Sequence, residues 1–155
     1  MYSPYFLLFL IILAIWLMYS TKQKKKRQQA KIDYYALEQI TEEELLAWLP
    51  FDDFEILNKF ESYQLSELSK GEYQGFEFAL FLYSYSTQEG QCFRQTVTAI
   101  KLHQKLEPFC RNDEDIWIEG HDEILVVYKE KQSMTCGAPI ELFLNRAVAQ
   151  AKTPT

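Results

Sequence analysis

The feature that most constrains this chain is an apolar run near its N-terminus. No charged residue occurs between Met1 and Thr21, and the stretch from Tyr5 to Tyr19 reads YFLLFLIILAIWLMY. At about 1.5 Å of rise per residue, roughly 20 helical residues cross the ~30 Å hydrocarbon core of a bilayer. Aromatic rings near both ends suit the two membrane interfaces. The pattern therefore predicts a transmembrane helix over residues 1–21.

The residues beside this run favour an anchor over a signal peptide. A signal peptide has a basic segment before its apolar core and small residues at a cleavage site, and both are missing here. A basic cluster follows the run instead, formed by Lys22, Lys24, Lys25, Lys26 and Arg27. Because basic residues are retained on the cytoplasmic side, we expect a single-pass protein of the inner (cytoplasmic) membrane with its N-terminus outside. The cluster either fixes this topology alone or also binds anionic lipid.

The rest of the chain has the composition of an acidic folded domain. Six of the 16 basic residues precede Asp33, which is the first acidic residue, so residues 32–155 carry 10 basic and 22 acidic side chains. Such a surface repels nucleic acid, and we expect no nucleic-acid partner. Hydrophobic residues make up 48% of the chain, as in a packed globule. We predict a basic juxtamembrane stalk at 22–40 and one soluble cytoplasmic domain at 41–155.

Local signals predict a short helix at the start of this domain. Thr41 followed by Glu44 is a capping-box sequence, and three consecutive carboxylates favour a helix N-terminus. Pro50 should end the helix. Residues 51–70 mix apolar and charged positions without a clean period, so they read equally well as helix or strand.

Two β-hairpins are predicted next. Gly71 and Gly75 indicate a turn before a β-favouring run that begins at Phe76, and a loop at 88–90 leads to a strand at 92–102. Neither face of that strand is purely apolar, so we expect one face to be half covered.

The second hairpin has predicted strands at 116–118 and 124–128. Its turn is predicted at 119–122, because Gly120 tolerates a positive φ. Pro139 then suits the first turn of a closing helix, whose apolar stripe consists of Ile140, Phe143, Leu144, Ala147, Val148 and Ala151. The predicted fold class is α+β, with one transmembrane helix, a mainly antiparallel sheet and a C-terminal amphipathic helix that lies on the sheet.

No motif for catalysis, metal binding or nucleotide binding is present. The two histidines and Cys92, Cys110 and Cys136 are too scattered for a zinc site, and Gly-rich phosphate loops are missing. The carboxylates at 113–115 and 122–123 flank predicted strands, where charges usually solvate turns or protect sheet edges. We therefore predict no catalytic residue, metal or cofactor. A nucleophilic cysteine that folding brings to a histidine stays open as an alternative.

The string FLYSYST at 81–87, followed by RQTV at 94–97, carries a resemblance. It resembles a family of bacterial membrane-anchored proteins without assigned function, which carry an F-x-Y-x-Y-T strand, a short loop and R-Q-T-V. The similarity covers roughly residues 66–151 and implies the fold but no activity. Such relatives often have a longer segment between the hairpin and the final strands. Here that segment is compressed to 102–115, so we expect any groove built from it to be absent.

Four residues of this hairpin form a candidate interaction patch. Tyr83, Tyr85, Arg94 and Gln95 lie on neighbouring predicted strands, and Tyr and Arg are enriched at interface hot spots. The alternative is that they only order the hairpin. We expect a membrane-tethered, non-enzymatic domain that engages a membrane-protein partner, as an accessory or assembly factor of a membrane complex. A lipid-surface or sensor module and a membrane-tethered enzyme without a recognisable motif are the alternatives.

Overall fold

The computed structural model describes residues 4–130 and 138–152, and it begins with one long helix. Helix α1 spans Pro4–Tyr35 and continues without a break past the basic cluster. Its segment Tyr5–Arg27 is long and apolar enough to cross a membrane, judged by length and composition. None of the apolar segment is buried against the rest of the protein, and Trp16 is 62% exposed. The helix ends where Ala36 adopts a left-handed φ of 49°.

A five-stranded antiparallel sheet follows α1. Each strand pairs with the next one along the chain, so the order across the sheet is sequential. The strands are β1 (Glu38–Gln39), β2 (Tyr63–Tyr73), β3 (Phe76–Ser86), β4 (Cys92–Asp113) and β5 (Ile116–Tyr128). The α+β class is therefore confirmed.

Short helices connect β1 to β2. Helix α2 spans Glu42–Trp48, a 3-10 turn spans Phe51–Asp53, and α3 spans Glu55–Asn58. The predicted capping box is present, because the backbone N–H of Thr41 donates to Glu44 Oε2 at 2.7 Å and the N–H of Glu44 donates back to Thr41 Oγ1 at 3.2 Å. Residues 51–70, which the sequence left open, thus contain both helical turns and the start of β2.

The sheet has a hydrophobic core on each face. Helices α2 and α3 cover one face, and α4 (Ala138–Lys152) covers the other. The predicted stripe of α4 is confirmed for Phe143, Leu144, Ala147 and Val148, which are at most 3% exposed, and Ala151 packs beside them. The side chain of Ile140 lies outside the described residues, as does Cys136. All of residues 95–100 of β4 are buried, so the expectation of a half-covered face is wrong.

The turn between β2 and β3, which precedes the first predicted hairpin, lies at Gln74 and Gly75. Both adopt left-handed φ values, 51° and 83°, as a two-residue hairpin turn requires. Gly71 lies inside β2, opposite Phe78 of β3, and takes no part in the turn.

The predicted second hairpin is wrong in its turn. Strand β5 is continuous from Ile116 to Tyr128, and the turn that precedes it lies at Glu114 and Asp115, with φ values of 52° and 66°. Gly120 pairs with Phe109 inside the β4–β5 ladder. A Cβ on Gly120 would lie only 2.8 Å from Phe109 Cζ, so glycine is needed here for close approach of the ring.

Candidate functional site

A groove of about 860 Å³ lies where β4 departs from regular pairing. The β4–β5 register shifts between Lys101 and Leu106 and again between Leu106 and Phe109. Such bulges bend a strand and redirect its side chains, and they are common beside binding sites. The lining consists of Lys105, Leu106, Glu107, Pro108, Phe109, Cys110, Arg111, His121, Asp122 and Gln150. The sequence predicted no groove from this segment, and that prediction is wrong because the segment is a bulged strand.

Charged side chains around the groove are mostly compensated within the protein. Lys105 Nζ lies 3.3 Å from Asp122 Oδ1, and His121 Nδ1 lies 3.4 Å from Asp53 Oδ2. Both partners of the lysine pair are more than half exposed, so this pair adds little stability. Arg111 differs from these residues, because its guanidinium donates to the neutral amide of Gln150 and lies 5.9 Å from the centre of the Phe109 ring.

A second cavity of about 400 Å³ adjoins the groove along α4. Arg111 and Gln150 line both spaces. Arg146 of α4 binds Asp113 and also Glu114, whose Oε2 is 2.6 Å from Arg146 Nη2. Asp113 at the end of β4 and Glu114 in the β4–β5 turn therefore link this turn to α4.

Glu119 is a buried carboxylate on the face of the sheet that α3 covers. Only 3% of it is exposed, and it accepts hydrogen bonds from the Tyr128 hydroxyl at 2.7 Å and from the Ile56 N–H at 3.2 Å. Burial raises the pKa of Glu119, and these two hydrogen bonds act in the opposite direction because they favour the charged form. Glu119 thus ties α3 to β5.

Cys110 lies opposite Glu119 in the β4–β5 register and lines the groove. Burial raises the pKa of the Cys110 thiol, and the nearby carboxylates of Glu119 and Glu55 raise it further. A catalytic cysteine needs the reverse, a pKa lowered by a histidine, a cation or a helix N-terminus. No hydrogen bond joins Cys110 to His121 in the described part of the chain. The groove therefore holds cysteine, histidine and carboxylate without an activated nucleophile.

The four residues of the predicted interaction patch do not share one surface. Tyr83 is fully buried and Tyr85 is 6% exposed, and the Tyr83 hydroxyl donates to the Leu57 carbonyl at 3.4 Å. Burial raises the pKa of Tyr83 to about 12. Gln95 pairs with Tyr83 and is buried, whereas Arg94 pairs with Ser84 on the opposite face and is exposed. Both tyrosines belong to the hydrophobic core on this face of the sheet.

The remaining predicted positions can also be placed. The basic cluster, Lys22, Lys24, Lys25, Lys26 and Arg27, is exposed along α1. Within residues 4–130 and 138–152, no group of three His, Cys, Asp or Glu side chains is arranged to hold a metal ion.

Sequence reasoning missed Glu119 and Arg111 as notable residues. Glu119 was assigned to a turn because it begins the polar run EGHDE at 119–123, between two apolar segments. No local signal separated Glu119 from the other carboxylates of this run, because its burial depends on α3, whose Ile56 lies 63 residues away. Arg111 had no local signal, since its setting depends on Gln150, 39 residues away. Comparison of the chain with family models, with curated protein sequences and with solved structures finds no match.

Proposed function

We propose that this chain is a membrane-tethered, non-enzymatic domain that engages a protein partner through the groove. The tether would be α1, whose apolar segment is left uncovered by the domain. A contiguous apolar surface of that size is not stable in water, and a bilayer would cover it. The basic cluster directly after it would act as a stop-transfer signal and hold the domain on the cytoplasmic side of the inner membrane.

The groove is the observation that carries the binding part of the proposal. Leu106, Pro108 and Phe109 give it apolar surface, and charged or polar side chains form most of the remaining lining. Protein-binding surfaces likewise combine apolar side chains with arginine and other polar groups. Attachment to the membrane raises the effective concentration of the domain near other membrane proteins, so a modest contact in the groove is sufficient.

An enzyme is the second candidate, because Cys110, His121 and Asp122 all line the groove. The raised pKa of Cys110 argues against an enzyme, because the thiolate is the nucleophile and a raised pKa keeps the thiol protonated. A lipid-surface module has less support, because the acidic domain is repelled by an anionic leaflet.

The experiment is gentle detergent extraction of the full-length protein from its native membranes, with cross-linking and identification of co-purified proteins. We expect a distinct membrane protein to be recovered. The matched control replaces residues 5–21 with an unrelated apolar span of equal length, and recovery should persist because the domain makes the contact. Recovery of the monomer or its own oligomer alone would contradict the proposal.

A further inference from the structure

We propose that the groove and the adjoining cavity bind an extended partner segment that carries one carboxylate, and that Arg111 binds this carboxylate. The inference rests on the proposed partner-binding function and names the chemistry that the partner must present. It concerns three features of one surface: the shape of the two cavities, the charge of Arg111 and the apolar residues around it.

The shape of the surface favours an extended chain. The groove and the second cavity meet at Arg111 and Gln150, which line both. A ligand that fills both spaces must cross the guanidinium of Arg111. Compact ligands fill one enclosed cavity, whereas an extended peptide advances about 3.3 Å per residue and places alternate side chains in successive pockets.

The charge of Arg111 is the second observation. The other cations of this surface have carboxylate partners, since Lys105 pairs with Asp122 and Arg146 pairs with Asp113 and Glu114. Arg111 has no carboxylate partner among the residues that the structure describes. Its charge is therefore available to a carboxylate from outside the chain, of which residues 32–155 carry 22 acidic and 10 basic side chains.

The residues around Arg111 hold its guanidinium in an orientation that suits a planar anion. The ring of Phe109 lies beside the guanidinium, and the Gln150 amide oxygen accepts one of its N–H groups. A guanidinium held in this way keeps further N–H donors for a carboxylate, which it binds with two parallel hydrogen bonds.

The neighbouring residues restrict the ligand to one carboxylate in an apolar context. Glu107 and Asp122 also line the groove, and Asp113 lines the second cavity, so a polyanion would be repelled. Apolar surface flanks Arg111 on both sides, with Phe109 in the groove and Leu142, which is 48% exposed, beside the second cavity. The partner segment should therefore place apolar side chains on each side of its Asp, Glu or C-terminal carboxylate.

The test is photo-cross-linking of the full-length protein in its native membranes. A benzoylphenylalanine replaces Glu107 at the groove, Leu142 at the second cavity or Glu43 on α2, which lies over the opposite face of the sheet. Each adduct is mapped by mass spectrometry to the partner residues that it contains. We expect Glu107 and Leu142 to capture neighbouring positions of one partner segment, with a carboxylate between the two attachment points.

Substitution of Arg111 provides the decisive comparison. Arg111→Gln should lower the adduct yield at Glu107 and Leu142 about tenfold, because a charge-assisted pair of hydrogen bonds is lost. Arg111→Lys should retain part of the yield, which shows that the variant site is folded. The matched control is Arg94→Gln, an exposed arginine outside the groove, and it should leave the yield unchanged. Replacing the partner's carboxylate by an amide should cause the same loss, with no further loss when combined with Arg111→Gln.

Other outcomes would overturn the inference in distinguishable ways. Adducts that survive Arg111→Gln, that lack a carboxylate, or that join two copies of this chain would refute the proposed ligand. Capture of a partner at Glu43 alone would refute the groove as the binding site, and would leave standing only a membrane-tethered domain that binds its partner through another surface. Failure to capture any protein at all three positions would refute both.

Discussion

Glu119 should govern how the stability of the domain depends on pH. Its carboxylate accepts hydrogen bonds from Tyr128 and Ile56 while almost completely buried. Glu119→Ala removes the acceptor of both the Tyr128 hydroxyl and the Ile56 N–H. Each buried donor left without an acceptor lowers the free energy of unfolding by about 1–3 kcal/mol. Part of this cost is offset because the carboxylate no longer has to be desolvated. We expect Glu119→Ala to lower the free energy of unfolding by roughly 2–4 kcal/mol.

The sign of the pH effect follows from the raised pKa of Glu119. Burial makes the folded protein bind this proton more tightly than the unfolded chain does, where the pKa of a glutamate is about 4.3. The contribution of the group to stability is therefore fully present below the unfolded pKa and is lost as pH rises through the folded pKa. Glu119→Gln removes the titrating group and keeps one acceptor oxygen. The free energy of unfolding of this variant should therefore not fall as pH rises through the folded pKa of Glu119. Relative to the wild type, the variant should become more stable as pH rises.

The assay is urea unfolding of the full-length protein in detergent micelles at several pH values between 4 and 8. Tryptophan fluorescence is a suitable probe, because the ring centroids of Trp117 and Tyr128 lie 6.4 Å apart and Tyr128 hydrogen-bonds Glu119. Tyr128→Phe is the companion variant, and it should move the decline to higher pH, since the Tyr128 hydrogen bond lowers the pKa of Glu119. Parallel pH profiles for the wild type and Glu119→Gln would refute the reasoning. A cost for Glu119→Ala below about 0.5 kcal/mol would refute it too.

Three further predictions concern the groove and α4. Gly120→Ala should lower stability by about 1–3 kcal/mol in the same unfolding assay, because the new methyl group collides with the Phe109 ring; an unchanged midpoint would contradict this packing. In a variant whose only cysteine is Cys110, iodoacetamide at pH 7 should alkylate the folded protein more slowly than the urea-unfolded protein, because burial raises the pKa of the thiol. Adding Glu119→Gln should speed alkylation of the folded protein, because the Glu119 carboxylate also raises this pKa. Arg146→Gln should increase amide hydrogen exchange in α4, since contacts to Asp113 and Glu114 are lost; exchange equal to that of the wild type would argue against that role.

Elements with local determinants were predictable from the sequence. Helix α2 is set by Thr41, Glu44 and Pro50, all within ten residues, and the capping box forms as predicted. The stripe of α4 follows from helical spacing and packs on the sheet as expected. In both cases the residues that specify the structure are near each other along the chain.

Elements specified by distant contacts were mispredicted. Gly120 indicated a turn in the sequence. In the structure, glycine is needed there because the ring of Phe109, on the paired strand β4, lies where a side chain would be. The true turn uses Glu114 and Asp115, and aspartate is among the residues that tolerate left-handed φ. Once β4 is extended to Asp113, its bulges create the groove. The shape of the groove and the isolation of Arg111 depend on pairings across the fold, so periodicity along the chain could not disclose them.

The proposed function requires α1 to hold an acidic binding domain at the cytoplasmic face of a membrane. The most direct measurement labels single-cysteine variants with a membrane-impermeant maleimide in right-side-out and inverted membrane vesicles. Cys92, which is exposed on the domain, is retained while Cys110 and Cys136 are replaced by serine. A second variant carries its only cysteine at Ser3.

We predict that Cys92 reacts only in inverted vesicles, that Ser3→Cys reacts only in right-side-out vesicles, and that the protein resists extraction by alkaline carbonate. Reaction of Cys92 in right-side-out vesicles, or release of the protein by carbonate, would contradict the account.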